Sequence, residues 1–183
     1  AALVVDATTG KTLFARHADA RRYPASLTKI MTLYVVFEEL KAGRLALDTE
    51  LKVSAHAAAR PPSKIGFKPG STVRVEDAIK ALVTKSANDV AVVVAENIEG
   101  SESAFAERMT RTARRLGMRS TTFRNASGLP DDRQVTTARD MARLGIAVQR
   151  APRVLVPIRD APRHRRRFRN DLKGIGLSRL KDR

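Results

Sequence analysis

The sequence contains no cysteine among its 183 residues. This absence excludes disulfide bonds, thiol nucleophiles and thiolate metal sites, but it leaves the cellular compartment open because an exported protein can also lack disulfides. The three histidines, His17, His56 and His164, are scattered along the chain and do not have the spacing of metal ligands. The sequence therefore predicts neither a metal site nor any other cofactor.

Long apolar runs are absent as well. About 18 consecutive apolar residues are needed to cross a bilayer, and no segment of the chain approaches that length, so we expect no membrane-spanning helix. Apolar residues make up 43% of the chain, which is typical of one globular domain with its own core. The chain begins at Ala1 with no basic and apolar leader before it, so we expect it to be processed or cut from a longer protein.

Positive charge is in excess, and it is unevenly distributed. The formal net charge is +16, with 23 Lys and Arg against 16 Asp and Glu in residues 1–147 and 12 against 3 in residues 148–183. Pro152, Pro157 and Pro162 recur among the arginines of the second segment, where no apolar periodicity is present. The sequence predicts one mixed-charge domain, residues 1–150, followed by a basic and irregular tail, residues 151–183.

Hydrophobic patterning within the first 150 residues predicts an α+β domain. The chain opens with two β-favouring runs joined by turn formers, which predicts a hairpin, and residues 44–75 are expected to be mostly loop. The β-favouring runs are 3–5, 12–14, 51–53 and 72–75. The helical patterns are 26–40, 76–84, 89–98, 101–116 and 137–148.

A first chemical motif opens the most apolar of these helices: Ser26-Leu27-Thr28-Lys29. Residues three apart on a helix share a face, so the Lys29 amine can reach the Ser26 hydroxyl. A lysine held against an apolar core is pushed toward its neutral, basic form, and the free N–H groups of the helix start can stabilise developing negative charge. The alternative is a helix cap beside a solvated lysine, since a serine and a lysine three apart are common by chance.

A second motif, Ser86-Ala87-Asn88, lies at the junction between two predicted helices. A turn there can direct a hydroxyl and an amide side chain into a cleft, although a Ser or Asx turn that only caps the next helix is the simpler interpretation. S-x-x-K followed by S-x-N is typical of penicillin-binding proteins and class A β-lactamases.

With these residues in hand, the chain resembles the low-molecular-weight D-alanyl-D-alanine carboxypeptidases, the peptidase S11 family, from Ala1 to about Val148. The resemblance rests on several phrases in the same order: Tyr23 to Lys29, Lys68-Pro69-Gly70, Ser86 to Asp89, Phe123-Arg124-Asn125 and Gly128-Leu129-Pro130. It implies a β-lactamase/transpeptidase-like fold, in which helices cover an antiparallel sheet and a helical subregion holds Ser86 and Asn88 across a cleft from Ser26.

The resemblance also implies roles for four residues. Ser26 would be the nucleophile that forms the acyl-enzyme and Lys29 its base. Ser86 would relay a proton to the leaving group, and Asn88 would bind the substrate backbone. The implied substrate is the D-Ala-D-Ala end of a peptidoglycan stem peptide, β-lactams would acylate the same serine, and the implied location is secreted or periplasmic. A longer form could associate peripherally with the membrane.

One part of the family pattern is missing, because no Lys-Thr-Gly occurs anywhere in the chain. Lys173-Gly174-Ile175-Gly176 comes nearest but lacks the threonine. In the family this third motif lies on a strand that supplies the lysine for the substrate carboxylate and one of two oxyanion donors. We therefore expect the C-terminal strands of the fold to be missing and the activity of these 183 residues to be low.

Two other functions stay open at the level of sequence. A class A β-lactamase would need a carboxylate on a loop to drive deacylation, and the loop at 125–134 offers only Asp131 and Asp132. The basic tail could bind an anionic polymer, but Phe168 is its only aromatic residue, so such binding would be nonspecific and salt-sensitive, without specific recognition of nucleic acid.

Overall fold

The structure of the protein is a computed structural model that describes residues 1–151. The predicted basic tail therefore lies outside the described residues, apart from Ala151. The strands are β1 (Ala2–Val5), β2 (Thr12–Arg16), β3 (Glu50–Lys52) and β4 (Thr72–Arg74). The helices are α1 (Thr28–Lys41), α2 (Ala55–Ala58), α3 (Val75–Lys85), α4 (Asn88–Glu99), α5 (Glu102–Arg115) and α6 (Ala138–Gln149).

The N-terminal hairpin is confirmed. β1 and β2 pair antiparallel with Leu3 opposite Ala15, and the turn is closed by the Asp6 carboxylate, which accepts hydrogen bonds from the amides of Thr8 and Thr9. Such an Asx turn explains why the segment after Val5 reverses direction. β1 packs against α6.

The strands form two separate two-stranded sheets in the described residues, β1 with β2 and β3 with β4. The sequence predicted an antiparallel sheet covered by helices with its C-terminal strands missing, and within residues 1–151 no third strand joins the hairpin. β2 is therefore exposed on both faces, with Leu13 62% and Phe14 53% exposed. The combination of helices and small antiparallel sheets is nevertheless the α+β class that the patterning predicted.

α1 and α4 form the centre of the core. The predicted buried helix at 26–40 is present, but its first residues, Ala25–Leu27, form a 3-10 turn and the α-helix begins at Thr28. Residues 90–95 of α4 are all buried, and α4 packs against α1, α3 and α5. A helix segment surrounded on several sides needs no polar face, which is why residues 90–95 of α4 are only valine and alanine.

The region between α1 and α3 is more ordered than the sequence predicted. β3 and β4 pair antiparallel as a short ladder, and α2, which the sequence did not predict, lies between them. The Ser54 hydroxyl caps α2 by accepting from Ala57 N at 2.9 Å, and it donates to Glu96 Oε2 on α4 at 2.6 Å. A helix of four residues has no readable periodicity, so a cap and a tertiary contact define it instead.

Side-chain caps mark the starts of α5 and α6, where the hydroxyls of Ser101 and Thr137 accept hydrogen bonds from backbone N–H groups. The helix predicted at 137–148 is present as α6, and its N-cap is Thr137, whose hydroxyl accepts from Asp140 N at 3.1 Å. Buried Asp140 also accepts from Ser120 N and Thr121 Oγ1, which ties the chain after α5 to α6. Within residues 1–151, no helix has the length and apolar character to cross a membrane.

Candidate active site

Ser26 lies on a tight turn immediately before α1. The preceding residue, Ala25, has a φ of +46°, a left-handed conformation that is unfavourable for a residue with a side chain and is frequent at functional sites. The Ser26 side chain is exposed, whereas Pro24 and Thr28 on either side of the turn are buried. The turn therefore presents the hydroxyl at the surface while the backbone around it is anchored.

Gly128 packs directly against this turn. A Cβ atom built on Gly128 would lie 1.8 Å from the carbonyl oxygen of Ala25, and Gly128 itself has a φ of +89°. Only glycine can occupy such a position, both for lack of space and because of the left-handed backbone. The loop after Asn125 is thus pressed onto the Ser26 turn, backbone against backbone.

Lys29 is buried below Ser26, with only 4% of its surface exposed. Its Nζ donates hydrogen bonds to Asn88 Oδ1 at 2.8 Å and to the Ser127 carbonyl at 2.6 Å. Burial lowers the pKa of the Lys29 amine to about 8, because loss of water penalises the charged form. A substantial fraction of the amine is therefore neutral near physiological pH.

The hydrogen bonds of Lys29 allow its neutral amine to act as a base. A neutral primary amine has two N–H donors and one lone pair, and the two neutral oxygens of Asn88 and Ser127 match the two donors. With both N–H groups used in this way, the lone pair of the nitrogen is left to accept a proton. Since the bonding partners carry no charge, nothing in this pair of contacts forces the amine into its protonated form.

Asn88 holds the other side of the site. It is the first residue of α4, its side-chain Nδ2 donates to the Pro61 carbonyl at 3.0 Å, and its backbone N–H donates to the Ser63 carbonyl at 2.7 Å. The next residue, Asp89, is fully buried and accepts from the amides of Ile65 and Gly66. These bonds attach the loop before α3 to the start of α4 and fix which way the Asn88 amide points.

Ser86 ends α3 in the left-handed conformation, with a φ of +54°. It is partly exposed and lies two residues before Asn88 at the junction between α3 and α4. The predicted turn is therefore present. As at Ala25, this left-handed backbone conformation is uncommon for a residue other than glycine.

The structure brings Lys29 and Asn88 into contact and places Ser26 one turn before Lys29. Within residues 1–151, the hydrogen bonds of the Lys29 amine go to Asn88 and Ser127, and none joins it to Ser26 or to Ser86. The catalytic roles of these residues stay predictions. No set of three or more His, Asp or Glu side chains among the described residues could hold a metal ion.

Sequence reasoning missed Ser127 as a partner of Lys29. The segment 125–132 was predicted as a loop, which is correct, and its Asn, Ser, Gly and Pro residues were the signal for that turn. A turn signal does not say which carbonyl faces a buried amine, however, because that depends on how the loop packs onto α1.

A shallow cavity of about 170 Å³ lies next to the Ser26 turn. Tyr23 and Ala25 line one side of it, and Leu129 and Pro130 line the other. The site therefore has an adjoining apolar recess on the surface that is large enough for a small side chain.

The sequence of this chain is similar to a known protein family. A family model described as D-alanyl-D-alanine carboxypeptidase, Peptidase S11, matches residues 1–171, which extends past the boundary at 150 that the sequence predicted. The D-alanyl-D-alanine carboxypeptidase DacF of Bacillus subtilis is 36% identical over 141 residues, which are 77% of this chain and 36% of DacF. DacC of Escherichia coli is 40% identical over 152 residues, 80% of this chain and 38% of DacC.

Solved structures give the same result for the fold. The crystal structure of the carboxypeptidase DacD from Francisella tularensis superimposes with a TM-score of 0.78 at 42% identity, covering 79% of this chain and 35% of that one. Penicillin-binding protein D2 from Listeria monocytogenes, in its ampicillin-bound form, gives a TM-score of 0.68 at 31% identity, covering 82% of this chain and 61% of that one. The chain thus spans well under half the length of DacF, DacC and DacD.

Proposed function

The chain belongs to the D-alanyl-D-alanine carboxypeptidase family, peptidase S11, and from that membership we propose that it is the nucleophile-bearing part of a serine carboxypeptidase acting on D-Ala-D-Ala ends. The observation that carries the proposal is the buried Lys29 amine, whose pKa is lowered to about 8 and whose two hydrogen bonds go to neutral oxygens. A base of this kind one turn from an exposed serine is what nucleophilic catalysis by a hydroxyl requires.

The proposed reaction begins with attack of Ser26 Oγ on the carbonyl carbon of the penultimate D-alanine. The hydroxyl proton passes to Lys29 Nζ, and a tetrahedral oxyanion forms near the N–H groups at the start of α1. When the C–N bond breaks, the leaving D-alanine amine takes the proton held by Lys29 Nζ, relayed through the Ser86 hydroxyl, so that Lys29 is neutral again and an ester on Ser26 remains. Water then hydrolyses the ester and regenerates Ser26.

Asn88 has two functions in this scheme. Its Oδ1 accepts from Lys29 and so orients the amine, while its place at the start of α4 suits it to bind the peptide backbone of a substrate in the cleft. The polar network around its side chain fixes the amide, which keeps the site preorganised without substrate.

The proposed substrate class is the peptidoglycan stem peptide, and the proposed inhibitors are β-lactams, which would acylate Ser26 in the same way. Among the relatives, the D2 protein of Listeria monocytogenes was solved with ampicillin bound. A chain with this function acts in the bacterial cell envelope, so we propose a secreted or periplasmic location.

The family relationship favours this function over the two alternatives that the sequence left open. The relatives named above are carboxypeptidases and penicillin-binding proteins, and nothing in the comparisons favours a β-lactamase. Asp131, one of the two loop carboxylates considered for deacylation, is engaged by Arg133 at 3.1 Å. Binding of anionic polymers would rest on the tail, which lies outside the described residues.

Labelling with a fluorescent penicillin tests the proposal most directly. We expect the 183-residue chain to become covalently labelled, and mass spectrometry to find the adduct in the tryptic peptide from Tyr23 to Lys29. S26A should abolish the label. S127A is the matched control, because it removes a buried hydroxyl beside the site and keeps the carbonyl that binds Lys29. Label on Ser86, or label that survives in S26A, would overturn the assignment.

A further inference from the structure

We propose that Asn125 is a positioning residue for Lys29, acting through the Ser127 carbonyl. This inference rests on the proposed function, because it assigns Asn125 a role in preparing the base of that reaction. Among the described residues, the hydrogen bonds of the Lys29 amine go to Asn88 and Ser127 and not to Asn125. Asn125 determines where the loop places the oxygen that Lys29 contacts.

The Asn125 side chain bonds to the loop at three places. Its Oδ1 accepts from Ser127 N at 3.2 Å and from Gly128 N at 2.7 Å, and its Nδ2 donates to the Leu129 carbonyl at 2.9 Å. These hydrogen bonds hold the peptide unit that joins Ser127 to Gly128. The carbonyl of this unit, that of Ser127, accepts a hydrogen bond from Lys29. One amide side chain therefore sets the direction of the Ser127 C=O bond.

Neighbouring groups hold the rest of the loop. The side-chain oxygen of buried Gln134 accepts hydrogen bonds from the backbone N–H groups of Arg124 and Asn125. The backbone that carries the Asn125 side chain is therefore fixed as well. The Ala126 carbonyl accepts from Thr32 Oγ1 at 2.7 Å, one turn along α1 from Lys29. The carbonyls of Ala126 and Ser127 thus accept hydrogen bonds from Thr32 and Lys29, which lie on neighbouring turns of α1. Of these two carbonyls, only that of Ser127 depends on Asn125 for its direction.

The charged groups on the elements packed around Lys29 have other partners. Glu102 on α5 accepts from Ala126 N, Asp89 on α4 is held by backbone amides, and Asp131 in the loop pairs with Arg133. In the described residues no carboxylate hydrogen-bonds to the Lys29 amine, and burial is the cause of its lowered pKa. The loop that covers the amine therefore keeps it buried, and this burial favours the neutral, basic form.

The experiment compares N125A with the wild-type chain in two measurements across pH 6 to 10. The first is the second-order rate of acylation by a fluorescent penicillin. The second is the Lys29 pKa, followed by NMR in chains with isotope-labelled lysine. N97A is the matched control, because Asn97 also bonds to backbone on two elements, through Lys52 N, Lys52 O and Val93 O, away from Lys29. N125S, whose hydroxyl can replace one of the turn bonds, provides a milder variant if N125A folds poorly.

We expect N125A to admit water to the amine and raise the Lys29 pKa, so that the acylation profile moves to higher pH. A rise of one unit would slow acylation about tenfold well below the pKa, because the neutral fraction falls by that factor. N125S should show a smaller shift in the same direction, and N97A should keep the wild-type profile even if its melting temperature falls. An N125A profile that superimposes on the wild type, or an equal shift in N97A, would overturn the inference.

Failure of the proposed function would look different. In that case the wild-type chain would not be labelled at Ser26 at all, whereas the NMR titration of Lys29 would still show whether Asn125 controls the amine. An unchanged Lys29 pKa in N125A refutes the positioning role whatever the labelling shows.

Discussion

Lys29 Nζ donates a 2.8 Å hydrogen bond to Asn88 Oδ1 across 59 residues of sequence. The bond connects the first turn of α1 to the first residue of α4, and α1 and α4 are packed together by the apolar core. The core therefore fixes the distance between the two polar groups, and the polar groups contribute specificity to that packing.

The lowered pKa of Lys29 predicts a pH dependence of stability. The folded-state pKa of Lys29 is about 8, below the 10.5 of a solvent-exposed lysine, so at pH values between these two the Lys29 amine binds more protons in the unfolded chain than in the folded one. Stability contributed by this group must then rise as the pH increases from about 8 to about 10.5. We expect the unfolding free energy of the wild type, relative to K29M, to increase over this interval in urea denaturation. A difference that stays constant with pH would show that Lys29 is not desolvated.

Gly128 predicts the effect of a single added methyl group. G128A would place a Cβ at 1.8 Å from the Ala25 carbonyl oxygen, so the loop or the Ser26 turn must move. We expect G128A to lose acylation by penicillin at least about a hundredfold, since displacement of the nucleophile by an ångström has an effect of that size. Stopped-flow labelling at a fixed pH measures the change.

G100A is the control for backbone strain alone. Gly100 has a φ of +77°, similar to that of Gly128, but a Cβ there meets nothing within 4 Å. An alanine in this left-handed conformation costs about 1 to 2 kcal/mol, so G100A should be less stable yet acylate at the wild-type rate. Equal losses of acylation in the two variants would mean that strain, and not contact with Ala25, is responsible.

Glu39 forms an ion-pair network inside the fold, away from the candidate site. Its side chain is only 6% exposed and contacts the guanidinium groups of Arg44 and Arg108, and Arg108 also binds Glu99 at 2.7 Å. The hydrogen bond from Arg44 is the largest influence that lowers the Glu39 pKa, to about 2, against the opposing effect of burial. The network joins the end of α1 to α4 and α5.

Removing that carboxylate should destabilise the fold in a pH-dependent way. E39Q removes one of the two carboxylates that pair with Arg108 and leaves Glu99 as the other, so we expect a loss on the order of 2 kcal/mol at pH 7, typical of a hydrogen bond to a charged group. The pKa of Glu39 is depressed when folded, so its contribution is present above about 4.5 and is lost as the pH falls toward 2. Urea unfolding at pH 7, 4 and 2.5 should therefore show the difference between wild type and E39Q shrinking with acid.

E107Q serves as the comparison on the surface. Glu107 pairs with Arg111 at 3.8 Å, and both side chains are largely exposed, so solvent screens the pair and its loss should have a small effect at every pH. Equal effects of E39Q and E107Q would argue that the Glu39 network contributes no more than a surface pair.

Much of this fold can be predicted from sequence because its strongest signals are local. Apolar residues on nearly every face of residues 26–40, and the apolar run within residues 89–98, predict the helices that form the core, and helical spacing predicts α6 over residues 137–148. The turn formers between β1 and β2 likewise predict the hairpin. In each case the chain's own period or capping residue specifies the element.

What the sequence does not show is decided by contacts between distant segments. α2 exists because Ser54 bridges its own helix start to Glu96, and four residues carry no helical period. The Ser127 carbonyl reaches Lys29 only because a loop 98 residues away folds over α1. Motif spacing predicts Ser26, Lys29, Ser86 and Asn88 as candidates, but it is silent on Asn125 and Ser127, which act through backbone geometry.

The last prediction concerns turnover of substrate by these 183 residues. They contain no Lys-Thr-Gly, and the family resemblance implies that the strand with this motif holds the substrate carboxylate and supplies one of two oxyanion donors. Ser26 and Lys29 can provide attack, but the transition state would be held from one side only, and one missing oxyanion donor alone slows the reaction about a hundredfold or more. The exposure of β2, including Leu13 and Phe14, supports the same expectation, because a two-stranded sheet is a weak support for a site that needs fixed geometry. We therefore expect D-alanine release from a stem-peptide mimic by these residues to be at least about a hundredfold slower than by a longer chain that continues through an in-frame Lys-Thr-Gly. Comparable release by both chains would contradict the prediction, and K173A would then test whether Lys173, whose sequence context is most like the missing motif, has taken over recognition of the carboxylate.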